Sequence, residues 1–87
     1  AQFVLQQNYP NPFNPVTKIS YSIDKGAEVN LKLYDVRGGL VETLLSKRVQ
    51  AGSHEHVLNA SHLSSGVYFY TMTVNDVSQT KKLILMK

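Results

Sequence analysis

Apolar and polar residues alternate with a period of two along most of this 87-residue chain. In Lys18-Ile19-Ser20-Tyr21-Ser22-Ile23 the apolar side chains fall at 19, 21 and 23. In Glu28-Val29-Asn30-Leu31-Lys32-Leu33 they fall at 29, 31 and 33. Successive side chains of a strand point to opposite faces, so such segments bury one face and wet the other, as in an antiparallel sheet. No stretch holds a 3.6-residue period. Residues 40–46 come nearest, but the run is short and follows Gly38-Gly39, so it is expected to be a strand.

Turn chemistry separates these segments at regular intervals. Asp24-Lys25-Gly26-Ala27 divides the first two, and Asp35-Val36-Arg37-Gly38-Gly39 has the form of a hairpin turn with a glycine free to take positive φ. Ala51-Gly52 opens a strand through His54, His56 and Leu58, and Ser64-Ser65-Gly66 leads into the most β-prone run, residues 67–74. Asn75-Asp76 tolerates left-handed backbone, which pairs 67–74 with 78–86 as a tight hairpin. That makes six strands, with a seventh over residues 3–6. Short strands broken by turns every ~8–12 residues predict an all-β sandwich or barrel.

The lead-in Asn8-Tyr9-Pro10-Asn11-Pro12-Phe13-Asn14-Pro15 departs from this pattern. Three X-Pro bonds within eight residues are expected to forbid ladder pairing and to favour extended or turn backbone. Flexible linkers are rich in Gly and Ser, whereas this segment carries Tyr9 and Phe13. Those aromatics are expected to plug one open end of the sandwich. Residues 1–16 thus form a Pro/Asn-rich lead-in, residues 17–87 the β-sandwich, and 1–87 a single domain, since a chain of this length rarely holds two cores.

Composition narrows the function. There is no cysteine, hence no disulfide and no thiol chemistry. The sequence begins Ala1-Gln2-Phe3 with no leader and no apolar run long enough for a membrane helix, so it reads as a piece of a longer polypeptide whose neighbour lies upstream, without membrane insertion. The formal charge of +3 is placed unevenly: through residue 80 six basic residues balance six acids, and Lys81, Lys82 and Lys87 supply the excess. Such a small, local charge argues against nucleic acid. A neutral body with a basic final segment suggests that the segment meets another molecule.

Candidate chemistry is sparse. His54 and His56 share one strand face and His62 follows in a loop, but no carboxylate or cysteine stands at ligand spacing, so no metal and no cofactor is expected. No serine sits in a nucleophile elbow, and no carboxylate pair is placed for acid–base work, so no catalytic residue is assigned. Tyr68, Tyr70, Met72 and Val74 alternate as a core-facing stripe, leaving Phe69 and Tyr34 as the exposed aromatics for a stacking platform. Asn59-Ala60-Ser61 matches a glycosylation acceptor, a pattern too short to inform. The closing run Gln79-Thr80-Lys81-Lys82-Leu83-Ile84-Leu85-Met86-Lys87 is either a buried final strand with edge-guarding lysines or a tail able to add a strand to a partner.

Several of these segments together resemble a known family. The lead-in followed by Thr17-Lys18-Ile19-Ser20-Tyr21, then Leu33-Tyr34-Asp35-Val36-Arg37-Gly38, Ala51-Gly52-Ser53-His54, Leu63-Ser64-Ser65-Gly66-Val67-Tyr68-Phe69-Tyr70 and Lys81-Lys82-Leu83-Ile84-Leu85-Met86-Lys87 are similar, in that order, to the type A C-terminal sorting domain of the bacterial type IX secretion system. The likeness spans residues 8–87. Leu58 departs from the tryptophan often found there, and Gly39 follows Gly38 without evident need.

The resemblance implies an antiparallel immunoglobulin-like, Greek-key β-sandwich of six to seven strands without significant helix, related also to flagellar hook-capping domains. It implies a non-catalytic signal that sends an upstream cargo domain from the periplasm through the type IX outer-membrane translocon to the cell surface. A sortase would remove the signal, its cut site before the domain or as a remnant near Ala1. The family's glycine-x-tyrosine element falls on Gly66 and Tyr68, and its terminal lysine element on Lys82 and Lys87; with Lys81 these are the expected translocon-binding residues. An unpaired edge strand would allow weak homodimers. The rival expectations are a carbohydrate-binding or cell-attachment module of a secreted hydrolase, and a plain spacer.

Overall fold

The computed structural model describes residues 3–87, so the expected cut-site remnant near Ala1 lies outside the described residues. Seven strands follow one another: β1 (Phe3–Leu5), β2 (Val16–Ile23), β3 (Ala27–Asp35), β4 (Leu40–Val49), β5 (Gly52–Asn59), β6 (Gly66–Val74) and β7 (Val77–Leu85). They make two antiparallel sheets, a three-stranded one in the order β1-β2-β5 and a four-stranded one in the order β4-β3-β6-β7. The chain changes sheet between β2 and β3, between β4 and β5, and between β5 and β6, which gives the Greek-key, immunoglobulin-like sandwich. Residues 40–46 are strand, within β4.

The period-two pattern places the core where it was expected. Ile19, Tyr21 and Ile23 of β2 face Val29, Leu31 and Leu33 of β3, with Tyr70, Met72 and Val74 of β6 and Leu83 and Leu85 of β7 completing a buried cluster. Tyr68 packs partly against it. Leu58, the departure from the resembled pattern, is buried in the core, so leucine fills that position here.

Two turns explain their glycines. In the β3–β4 hairpin, Gly38 has φ +87°, and Asp35 Oδ1 accepts bonds from the Arg37 and Gly39 N–H groups, both at 2.9 Å. A Cβ on Gly39 would approach that carboxylate to 3.1 Å, so the second glycine has a steric reason the sequence did not disclose. At the entry to β6, Gly66 has φ +154°, a backbone that L side chains rarely adopt.

The lead-in differs from expectation in two respects. Phe13 is buried as foreseen, but Tyr9 is 82% exposed and plugs nothing. Its backbone, moreover, does pair with strands. Tyr9 and Lys18 exchange N–H···O bonds at 3.0 Å, and Phe13 bridges β7 in parallel, its N–H bonding the Ile84 carbonyl while its carbonyl receives the Met86 N–H. The prolines lack N–H groups, but Tyr9, just before the first of them, and Phe13, between the second and third, keep theirs. The lead-in is thus a strap bound to the sheets.

Candidate functional site

Each late residue singled out from sequence has a definite place. Gly66 and Tyr68 shape a corner: the Tyr68 hydroxyl donates to the Ser64 carbonyl, four residues back, at 2.7 Å. A tyrosine near the start of this strand, bonded to backbone just upstream, is the tyrosine corner of immunoglobulin-like sandwiches. These two residues therefore act on the path of the chain between β5 and β6.

The three lysines lie on or just beyond β7. Lys81 is half-buried on the inward-facing side, beside Gln79, Leu83 and Leu85. Lys82 points outward and is exposed. Lys87 is exposed, yet its N–H donates to Ser65 Oγ at 3.0 Å and its Nζ to the Ser61 carbonyl at 2.8 Å, so the end of the chain is fastened to the β5–β6 loop. Among the described residues the ion pairs are Lys18 with Glu55 and His62 with Glu42, and neither involves these lysines. The segment is docked by its apolar residues while its charges remain unneutralised. Its four consecutive apolar positions differ in fate: Leu83 and Leu85 are buried, Ile84 half-buried and Met86 exposed.

From Lys82 to Met86 the edge of β7 is not free. Gln7 Nε2 donates to the Lys82 carbonyl at 2.6 Å, Asn11 Oδ1 receives the Ile84 N–H at 2.9 Å, and Phe13 takes the next carbonyl and N–H. Gln79 closes the gap to β1, donating from Nε2 to the Phe3 carbonyl at 3.1 Å and accepting from the Leu5 N–H at 3.3 Å. Side-chain amides here stand in for a neighbouring strand.

A buried phenol anchors the strap. The Asn8 N–H donates to the Tyr70 oxygen at 2.8 Å, and the Tyr70 hydroxyl donates to the Gln6 carbonyl at 2.7 Å. Burial pushes the Tyr70 phenol up to about 12, the Asn8 bond opposing, so it stays protonated and able to donate. Asn8 Nδ2 donates to Thr17 Oγ1 and the Pro10 carbonyl, and Thr17 Oγ1 donates to the same carbonyl. Both buried polar side chains are thereby satisfied. Sequence reasoning missed this hub because its bonds join residues 62 and 64 positions apart.

The histidines do not converge. His54 stacks on Tyr21 with centroids 5.5 Å apart and donates to the Gln50 carbonyl, while His62 bonds Glu42 at 3.1 Å across the β4 side. Burial lowers the His56 pKa, with the Glu42 charge opposing and Lys47 adding to the drop. Among the described residues no group of His, Cys, Asp or Glu is placed to hold a metal. Leu45, Lys47, Arg48, His54 and His56 line a surface cleft of about 350 Å³ between β4 and β5.

The outward face of the four-stranded sheet carries the remaining candidates. Tyr34 pairs in register with Leu40 on one side and Phe69 on the other, and Phe69 pairs with Lys82. Beside this row lies a shallow depression of about 380 Å³, lined by Tyr34, Val36, Arg37, Phe69, Thr71 and Thr80.

A family model described as the secretion system C-terminal sorting domain matches residues 7–86. No curated protein sequence gives a significant match. Among solved structures, the chain is similar to dimeric latent PorU from Porphyromonas gingivalis, with a TM-score of 0.76 and 20% identity over 99% of this chain and 10% of that one. It thus spans only a tenth of the length of that protein. It is also similar to the Ig1 domain of mouse SynCAM 2, with a TM-score of 0.52 and 14% identity over 99% of this chain and 95% of that one. Identities this low speak to the shared sandwich fold alone.

Proposed function

The chain belongs to the family of secretion system C-terminal sorting domains, and we propose from that premise that residues 1–87 act as one non-catalytic export unit for a larger cargo. In this reading the cargo reaches the periplasm by its own leader, the domain engages the type IX translocon, and a sortase separates the two at the cell surface. Lys81 and Lys82 are the residues read by the machinery, with Lys87 beside them. Gly66 and Tyr68 set the corner that holds the β6–β7 hairpin in position. Weak self-association through an edge strand would have to use β4 or β5, since the β7 edge is bonded internally.

One observation carries the proposal. The lysines of β7 take part in no ion pair among the described residues, although the strand that bears them is fixed by buried Leu83 and Leu85. A rigid support with unneutralised charge suits recognition by an acidic partner, because little conformational freedom is left to lose on binding.

The test is a reporter with its own export leader, fused ahead of residues 1–87 in a host that has this machinery. Removing 81–87 would also remove Leu83 and Leu85 from the core, so the charge is better tested by Lys81→Gln with Lys82→Gln. The wild-type fusion is expected at the cell surface and the double variant in the periplasm. Equal surface display of both would remove the lysines from the proposal. Retention of the wild-type fusion in the periplasm would refute the export role itself.

A further inference from the structure

The Leu33–Gly38 segment contains more than the fold uses. Leu33 is buried, the Asp35 carboxylate closes the hairpin turn and Gly38 takes its positive φ. Tyr34 and Arg37 contribute to none of this. Tyr34 stands on the outward face of the four-stranded sheet, and neither its hydroxyl nor the Arg37 guanidinium has a hydrogen-bond partner among the described residues. Both border the shallow depression that Phe69 also lines.

The strand register connects this spot to the export lysines. Leu40, Tyr34, Phe69 and Lys82 occupy one row across β4, β3, β6 and β7. Leu40 is 56% exposed and Val36, at the turn, 70%. Lys32 lies on the same face one row away. Lys32, Arg37 and Lys82 join no ion pair among the described residues, and Asp35, the acid at the depression, has its carboxylate engaged by the turn. An aromatic pair flanked by aliphatic residues and unneutralised cations has the composition of an interface centre with a charged rim.

We infer that this outward face, centred on Tyr34, Arg37, Phe69 and Lys82, docks an acidic, partly apolar protein surface of the export apparatus, and that recognition proceeds through the face of β7 rather than its edge. The inference rests on the export role proposed above. Strand addition at β7 would have to displace Gln7, Asn11 and Phe13 from bonds of 2.6–3.0 Å, whereas the face is open. A sugar is a poorer occupant. Apart from the Tyr34 phenol, the hydroxyls on this face that could read it are turned on each other, Thr71 to Thr80 at 2.9 Å and Thr73 to Ser78 at 2.8 Å.

The reporter fusion tests this with variants of the face. Arg37→Glu with Lys82→Glu alters only exposed positions, so the isolated domain should keep its melting temperature while surface display falls about tenfold, as for loss of interface anchors. Phe69→Thr, at a half-buried position, should lower the melting temperature somewhat yet reduce display as strongly at a growth temperature where the domain stays folded, and Val57→Ser, exposed on the other sheet, should leave display unchanged. If the wild-type fusion reaches the surface and the face variants match it, the inference is overturned while the export role stands. If the wild-type fusion itself stays in the periplasm, the export role fails and takes the inference with it. Heparin serves as an anionic-polysaccharide probe: binding by the wild-type domain that Phe69→Thr abolishes would give the face to polysaccharide and overturn the protein partner.

Discussion

The two long sides of the sandwich are protected in different ways. On the β1–β7 side, Gln79, Gln7 and Asn11 spend their amides on main-chain groups, and the strap lays Phe13 beside Leu85. On the β4–β5 side no strap lies across the edges among the described residues. β4 pairs with β3 through two register irregularities, carries Lys47 and Arg48 in exposed positions, and is tied to the far loop by the His62–Glu42 bond. Bulges and charges discourage stray pairing without filling the edge. One side is closed by bonds and the other defended by irregularity and charge. The closed side belongs to the strand that bears Lys81 and Lys82, so their support is bonded in place where the opposite side is left open.

Substitutions should expose this asymmetry in proportion to how much each one opens. Phe13→Ala removes the buried ring of the strap and should cost about 3–5 kcal/mol in urea unfolding. A loss below about 1 kcal/mol would mean that the strap does not seal the β7 side. Tyr70→Phe leaves the Asn8 N–H and the Gln6 carbonyl without their shared partner, for about 1–3 kcal/mol by the same measurement. Gln79→Ala breaks only the bridge between β1 and β7, for about 1 kcal/mol, and should speed hydrogen exchange at the Leu5 amide.

The smallest effect belongs to the open side and depends on pH. Burial lowers the folded-state pKa of His56 below its ordinary 6.5, so the unfolded chain takes up a proton first as the medium acidifies. Its contribution is therefore complete above pH 6.5 and is lost as pH falls through the depressed folded value. His56→Gln should flatten that part of the stability–pH curve while leaving Tyr70→Phe as costly as before. An unchanged curve would dissociate His56 from the acid sensitivity of this side.

How far the sequence discloses these features depends on the range of the forces involved. The strands, the β3–β4 hairpin and the inward stripe from Tyr70 to Val74 follow from alternation and turn residues, which act locally. Phe13 was legible as a buried aromatic, but Tyr9 was not separable from it. Both follow the same proline-rich logic, and only the docking of the strap on β7 decides which ring turns inward. The internal sealing of the β7 edge was hidden for a similar reason: Gln7, Asn11 and Gln79 are ordinary polar residues until the fold brings them opposite unpaired backbone groups 73–76 positions away. The basic excess at 81, 82 and 87 could be counted in advance, but not the row through Tyr34 and Phe69 that joins Lys82 to the hairpin signature, since register is fixed by pairing.

The strap closes only when the first and last parts of the domain meet. A chain halted before residue 83 has neither the leucines that seat β7 nor the main-chain groups that Asn11 and Phe13 grip. Its lysines would then ride on a loose segment, without the backing that buried Leu83 and Leu85 give them in the folded domain. The fold therefore couples its two ends, since neither the lead-in nor the last strand is fully seated until both are in place.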